Sequence, residues 1–342
     1  MKSWLGFWIA GCIAALALLA CGRVDQLPDY ATAVVVSPPP AYVPTPGPLP
    51  SQTPYAGPTA TPSPTPKAPP RPPATGSVFL GTVGSSDLHN DLTDPRGLAF
   101  AGGSLFVADA NRRGLLGAYG AVVEFDPQTG KRLATYTART SSTSLPVDVS
   151  AVAVSTRSAT ADVEPEFVFA ASPWAVFGHV AGKGWPLNLG APYAPGGVDV
   201  ALAGKRAWVA ERNVVRAYTV MGWLPDDYAA PEIPVAGIRG IGLDETGKPW
   251  IAAAGAIFQG SEKWTATASA PVDPRDVAID LVRGDVVVLD RERILRYSRD
   301  GQFLGAAGEG RLKDSRSLAI GDDGSLYVSD GSTRRVYRFA PP

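Results

Sequence analysis

The chain has 342 residues, of which 45% are hydrophobic and 18% are charged, a balance that suits one large globular domain with an additional segment. Its formal net charge of -1 gives no basis for predicting nucleic-acid binding. Both cysteines, Cys12 and Cys21, lie near the N-terminus, which excludes disulfides and thiolate metal sites from the rest of the chain.

The first 20 residues are predicted to be a signal peptide. Lys2 precedes an apolar run from Leu5 to Leu19 that is too short to span about 30 Å of hydrocarbon comfortably. The segment ending in Ala20-Cys21 resembles the lipobox of bacterial lipoproteins, which implies that Cys21 is lipidated and becomes the new N-terminus. An uncleaved membrane anchor is the alternative. In either case we expect a domain in the cell envelope, facing outside the cytoplasm at the outer membrane or cell surface.

Residues 21–75 are predicted to be a disordered tether. Proline, threonine, serine and alanine dominate residues 37–75, and such a composition lacks the apolar content needed for a packed core. At ~3.1 Å per residue, an extended tether would hold the domain on the order of 100 Å from the membrane. A proline-motif docking segment or a glycosylated stalk is the alternative.

Residues 76–342 contain six copies of one repeat. Each copy has an alternating apolar strand centred on a small residue, followed by two further strands and a weaker fourth. The central small residues lie 54, 48, 41, 36 and 41 positions apart, near the ~40–50 residues of a four-stranded propeller blade. They are Ala99, Ala153, Ala201, Gly242, Ala278 and Ala319.

The last repeat ends at Phe339 without a fourth strand. Ser77–Gly84 is similar in sequence to Gly301–Gly308, which supplies a fourth strand within the fifth repeat. The N-terminal strand is therefore predicted to complete the last blade and close the ring, which removes exposed strand edges. The predicted fold is an all-β, six-bladed β-propeller.

Three repeats resemble the NHL repeat. The resemblance is carried by Pro95-Arg96-Gly97-Leu98-Ala99 with Leu105–Asp109, by Pro274-Arg275-Asp276-Val277-Ala278 with Asp290, and by the closing repeat with Asp330. It implies a propeller superfamily that includes lyases, lactonases, sugar dehydrogenases and binding platforms, and it does not select among them.

Four arginines precede first strands and form the centre of a predicted binding face at one mouth of the channel. One interpretation is a ring that binds an anion, because guanidinium groups match carboxylates and phosphates. The other is a structural brace in which each arginine pairs with the acid that closes a second strand, and the recurrence from blade to blade favours it. The arginines are Arg96, Arg239, Arg275 and Arg316, and the acids are Asp109, Glu211, Asp290 and Asp330.

The first repeat contains a predicted extended loop, Ala110–Gly120, that adds Arg112 and Arg113 to this face. An apolar tip beside two arginines suits contact with a partner, although the loop would equally suit packing over the channel mouth. Three tryptophans near fourth strands suit either glycan and protein contacts or packing between blades. These are Trp185, Trp223 and Trp264.

No cofactor is predicted. A Ca²⁺ ion in the channel is an alternative, because five aspartates precede first strands, although aspartates there more often cap turns. Only two histidines, His89 and His179, are present, fewer than the three imidazoles of a zinc site of the NHL-lyase type. The aspartates are Asp94, Asp148, Asp199, Asp273 and Asp314.

The sequence thus favours a membrane-anchored, monomeric binding propeller whose mouth face engages a protein, peptide or glycan of the cell envelope. A propeller enzyme of the lactonase or lyase type, using a divalent ion in the channel, is the alternative. No catalytic residue is predicted.

Overall fold

The computed structural model describes residues 78–83, 92–114, 117–137, 148–155, 167–171, 176–180, 184–188, 198–203, 206–221, 224–225 and 232–340. The predicted signal peptide, Cys21 and the tether lie outside these residues. Within the described ranges, no helix has the length and apolar character needed to cross a membrane.

The described residues form 25 strands in six antiparallel sheets. The strands of sheets 1 to 3 are β2 (Pro95–Ala101), β3 (Ser104–Gly114), β4 (Gly117–Phe125) and β5 (Arg132–Tyr136); β6 (Ala151–Ser155), β7 (Phe167–Ala171), β8 (Val176–Val180) and β9 (Gly184–Asn188); and β10 (Asp199–Ala203), β11 (Arg206–Ala210), β12 (Val214–Met221), β13 (Leu224–Pro225) and β14 (Glu232–Pro234).

Sheets 4 and 5 are regular four-stranded meanders, and sheet 6 combines the two ends of the domain. Their strands are β15 (Ile238–Leu243), β16 (Pro249–Ala253), β17 (Ala256–Gln259) and β18 (Glu262–Trp264); β19 (Pro274–Asp280), β20 (Asp285–Asp290), β21 (Arg293–Tyr297) and β22 (Phe303–Ala307); and β23 (Ser315–Ile320), β24 (Leu326–Asp330) and β25 (Arg335–Phe339) with β1 (Phe79–Val83).

The first strands of the six sheets lie against one another in a closed order, from β2 through β6, β10, β15 and β19 to β23 and back to β2. The aligned small residues all fall on these strands, because a large side chain there would separate the sheets. At Gly242, for example, a Cβ atom would come within 3.2 Å of the Ala278 backbone. The predicted propeller fold is therefore confirmed.

The predicted closure of the ring is also confirmed. β1 pairs antiparallel with β25, with Thr82 opposite Tyr337 and Val83 opposite Val336. The Phe79 ring packs on Phe339 with a centroid separation of 5.8 Å. The N-terminal strand thus supplies the outer strand of sheet 6.

The core consists of apolar clusters between neighbouring sheets. Leu105, Val123 and Phe125 of sheet 1 share one cluster with Tyr327 and Val336 of sheet 6. Because each cluster joins two sheets, stability is distributed around the whole ring.

One predicted boundary is wrong. The segment predicted as an extended loop, Ala110–Gly120, is largely a hairpin, because β3 continues to Gly114 and β4 begins at Gly117.

Candidate functional site

We define the mouth face as the surface formed by the segments that precede the first strands, by the turns between second and third strands, and by the strand residues that adjoin them. The opposite face carries the turns between first and second strands and between third and fourth strands. All ten residues of the predicted binding face belong to the mouth face.

The acids that end the second strands hold the segments that precede the first strands. Asp109 accepts hydrogen bonds of 2.8 Å from the backbone N–H groups of Thr93 and Asp94. Asp290 accepts the equivalent pair, at 2.9 Å from Val272 and 2.6 Å from Asp273. These acids are buried and act as caps for the backbone.

Asp330 repeats this arrangement in sheet 6 and adds to it. One carboxylate oxygen accepts the backbone N–H groups of Lys313 (2.7 Å) and Asp314 (3.0 Å), and the other accepts the Ser332 hydroxyl and the Thr333 N–H. Burial alone would raise the pKa of Asp330, but these donors stabilise the carboxylate and lower its pKa overall. The side chain is fully buried and its acceptor sites are occupied.

The four arginines of the mouth face all lie at irregularities of the first strands. The register between first and second strands shifts between Ile238 and Gly240, and corresponding shifts occur in sheets 1, 5 and 6. A bulged residue is unpaired in the ladder, and its side chain is redirected. The residues at the shifts include Arg96, Arg239, Arg275 and Arg316.

This geometry corrects the predicted ion pairs. The arginines pair with aspartates that precede first strands and not with Asp109, Asp290 or Asp330, whose oxygens already accept backbone N–H groups. Arg96 bonds Asp94 at 3.0 Å, and the equivalent pairs in sheets 5 and 6 have distances of 3.0 and 2.9 Å. Those pairs are Arg275 with Asp273 and Arg316 with Asp314.

Two of these arginines also connect neighbouring sheets. Arg316 of sheet 6 bonds Asp94 of sheet 1, and Arg239 of sheet 4 bonds Asp273 of sheet 5. The hydrogen bond from Arg239 lowers the pKa of Asp273. For Asp94, burial acts in the opposite direction, but Arg316 and Arg96 lower its pKa overall. The mouth charges therefore join sheet 6 to sheet 1 and sheet 4 to sheet 5.

The remaining predicted residues of this face are also engaged or lie in the extended hairpin. Glu211 accepts a hydrogen bond of 2.5 Å from Arg216. Arg112 bonds Asp109 at 2.7 Å, and burial nevertheless raises the pKa of this carboxyl. Arg113 lies on β3 opposite Ala118, and its side chain is outside the described part of the structure.

Inside the ring, side chains two positions before the aligned small residues connect neighbouring first strands. Asp199 accepts the Ile241 N–H at 2.8 Å, Asp276 accepts the Leu318 N–H and the Ser317 hydroxyl at 2.8 Å, and Ser317 accepts the Leu98 N–H at 3.1 Å. The alignment of the repeats identifies the position two residues before each small residue. Only the fold shows that the side chains at this position form hydrogen bonds to the neighbouring sheet.

Both channel carboxyls have raised pKa values. Burial raises the pKa of Asp276 to about 7. Burial and then the charge of Asp276 raise the pKa of Asp199 well above its usual range. Gly240 lies close to Asp276, because a Cβ atom on it would contact the Asp276 carboxylate and backbone. The channel wall thus contains carboxyls that favour the protonated form.

These pKa values predict a loss of stability with rising pH. The pKa of the Asp276 carboxyl is about 7 in the folded protein and 3.8 in the unfolded chain. Folding at a pH between these two values is therefore accompanied by the uptake of a proton. The contribution of this carboxyl to the free energy of unfolding is therefore fully present below pH 3.8 and is lost as the pH rises through 7. We expect the Tm to fall by about 5 °C between pH 5 and 8, and Asp276→Asn to at least halve that fall. Equal pH slopes in the two proteins would contradict this assignment, and Asp126→Asn in an outer turn serves as the control.

A hollow of about 360 Å³ lies on the mouth face between sheets 5 and 6. Asp290 and Arg293, joined by an ion pair of 2.9 Å, form part of its lining. Val272 is 75% exposed, and the Arg291 side chain is 71% exposed. Arg291 also has a left-handed backbone with φ of 56°, as does Arg334 with φ of 57° in the corresponding turn of sheet 6. No sequence pattern predicts this hollow, because its lining comes from three separate segments.

Trp264 serves in packing. It lies on β18 and makes edge contacts with Trp250 and with Tyr297 of sheet 5, and its indole N–H donates to the Arg299 carbonyl at 3.0 Å. Trp223 lies outside the described residues, as does His89. Trp185 lies on β9 and His179 on β8, where their side chains are not described.

Neither a protein-family model nor a curated protein matches this sequence. Many solved structures are similar to this chain, and two of them illustrate the likeness in fold. Regucalcin from Agrobacterium tumefaciens str. C58, a calcium-binding protein, has a TM-score of 0.51 and 15% identity over 78% of this chain and 95% of its own.

The second similar structure is the PQQ-bound aldose sugar dehydrogenase from Streptomyces coelicolor. Its TM-score is also 0.51, with 15% identity over 79% of this chain and 99% of its own. At this identity the likeness concerns the fold, and it agrees with an all-β propeller.

Proposed function

We propose that this chain is a lipid-anchored binding propeller of the cell envelope, attached through Cys21, with NHL-type repeats and a mouth face that engages a protein, peptide or envelope component. The observation that supports the proposal is that the charged side chains of the mouth face are paired with one another. The four arginines that suit an anion site are paired with aspartates that would suit a metal or catalytic site, namely Asp94, Asp273 and Asp314.

The hollow between sheets 5 and 6 is the proposed centre of contact. Val272 offers exposed apolar surface, and Arg291 offers a guanidinium beside it. Arginine is enriched at the centre of protein interfaces, where the buried core is also more apolar than the surrounding surface. The floor, held by the ion pair of Asp290 with Arg293, is rigid and needs little ordering on binding.

The donor groups of the channel do not suit a calcium ion. Ca²⁺ takes six to eight oxygen ligands, several of them carboxylates. Among the described residues no three histidine, cysteine, aspartate or glutamate side chains are grouped to hold a metal ion. The oxygens of Asp199 and Asp276 already accept N–H and hydroxyl groups. These residues do not fit a calcium site, so we derive no enzymatic step through such an ion.

Capture from envelope extracts tests the proposal. Val272→Asp places a charge in the proposed contact, and we expect it to reduce capture of the partner at least tenfold, as for a central interface residue. Val282→Asp is the matched control, because Val282 is 77% exposed on the opposite face. EDTA should leave the captured amount unchanged. Equal capture by both variants, or loss of capture with EDTA, would contradict the proposal.

A further inference from the structure

A second hollow, of about 390 Å³, lies on the opposite face between sheets 3 and 4. Its lining includes Trp208 on β11, Arg206 at the start of the same strand, Lys248 before β16 and Glu262 at the start of β18. This volume lies in the range of small-molecule sites, about 300–1,000 Å³. The hollow is separate from the mouth face, so an inference about it is independent of the proposed function.

Trp208 has a buried polar group without a partner. Its side chain is 4% exposed, and within the described ranges no acceptor bonds its indole N–H. A buried donor left unpaired costs about 1–3 kcal/mol, and such a group in a native protein calls for a specific explanation, such as a water, an ion or a functional role.

The equivalent tryptophan of the next sheet has the hydrogen-bond acceptor that Trp208 lacks. Trp250 occupies the same position on β16, and its indole N–H donates to Asp244 at 3.3 Å. Asp244 follows β15 directly and also holds the turn before Lys248 through backbone hydrogen bonds. In sheet 3 the corresponding position is Ala203, which has no acceptor. The unpaired N–H thus results from a difference between two otherwise equivalent repeats.

The charged groups around the hollow are also unpaired. Arg206, Lys248 and Glu262 have no ion-pair or hydrogen-bond partner for their side chains among the residues that the structure describes, in contrast to the arginines of the mouth face. The Lys248 side chain lies beside Gly260, where a Cβ atom would come within 3.2 Å of its Cε. The small residue at this point leaves room for the Lys248 side chain at the rim.

We propose that this hollow binds a small hydroxylated carboxylate of sugar-acid size. Arg206 and Lys248 match a carboxylate, the Trp208 N–H requires an acceptor oxygen, and the Glu262 carboxylate accepts hydroxyl donors. Gln259, which also lines the hollow, both donates and accepts. An uncharged sugar would leave the two cations unmatched.

The test is a titration of the full chain, labelled with ¹⁵N-tryptophan, with D-glucuronate, observed through the indole N–H signals. Trp208→Phe assigns the signal of Trp208, and Trp264, whose N–H is bonded to Arg299, is the internal control. We expect a saturable shift of the Trp208 signal alone, with glucose producing no shift. We expect Arg206→Ala with Lys248→Ala to weaken binding at least tenfold.

Ala203→Asp is the decisive variant, because it introduces the acceptor that Trp250 has in sheet 4. We expect this variant to move the Trp208 signal toward that of Trp250 and to abolish its response to glucuronate. The proposal would be overturned if the Trp208 signal did not move at glucuronate concentrations up to about 10 mM, which would largely saturate a site with a Kd of about 1 mM. An equal response to glucose, or an undiminished response in Ala203→Asp, would also overturn it.

Discussion

Deletion of Ser77–Gly84 is expected to abolish cooperative unfolding of the domain. β1 is the outer strand of sheet 6, and its removal exposes the edge of β25 and the cluster around Val83, which is 2% exposed. It also removes Phe79, which packs on Tyr337 and Phe339 and lies beneath the Arg311 guanidinium, 4.2 Å from the ring centroid. The unpaired edge would favour association between chains.

Two further variants separate this effect from a general failure to fold. Phe79→Ala keeps the strand and is expected to cost about 2 kcal/mol, less than for a fully buried phenylalanine, because Phe79 is partly buried. The Ala340 N–H donates to the Val78 carbonyl at 2.7 Å, so a circular permutant that moves residues 77–84 behind residue 340 should restore the transition. Urea unfolding followed by circular dichroism measures all three. A deletion variant with an unchanged midpoint and m-value would contradict ring closure.

Asp330→Ala is expected to have the second largest effect, about 3–5 kcal/mol of lost stability. Two backbone N–H groups, those of Lys313 and Asp314, would lose their acceptor, at about 1–3 kcal/mol each, and the Ser332 and Thr333 contacts would be lost as well. For a domain of this size such a loss lowers the Tm by roughly 10 °C. Differential scanning calorimetry at pH 7 measures it.

Arg316→Ala is the matched comparison, because Arg316 belongs to the same sheet and is partly exposed. Its ion pairs with Asp94 and Asp314 are expected to contribute about 1 kcal/mol or less, as for other exposed pairs. If Asp330→Ala destabilised the domain no more than Arg316→Ala does, Asp330 would not be the cap that the geometry describes.

The fold was predictable from sequence to a large extent. Period-2 apolar runs separated by turns such as Asp323-Gly324 determine where the strands lie, because the strand pattern is local. The similarity of Ser77–Gly84 to a fourth strand even predicted the closure. The boundaries around Ala110–Gly120 were wrong because glycines and arginines there look like a loop, whereas pairing between β3 and β4 extends the hairpin.

The site was predictable only in part. The recurrence of Arg96, Arg275 and Arg316 indicated a structural brace, but their partners depend on β-bulges, and one bulged residue changes which carboxylate a side chain reaches. The unpaired N–H of Trp208 became apparent only when the fold placed Ala203 at the position where Asp244 accepts the equivalent N–H of Trp250. Such features arise from contacts between distant segments, and the periodicity of apolar residues in the sequence does not predict these contacts.

Site-specific photo-crosslinking in living cells tests the central claim most directly. A photoreactive amino acid at position 272, on the mouth face, and one at position 282, on the opposite face, sample two sites of similar exposure, 75% and 77%. Binding through the mouth face predicts a discrete crosslinked partner from position 272 and none from position 282. A partner captured from position 282 alone, or equally from both positions, would contradict the account.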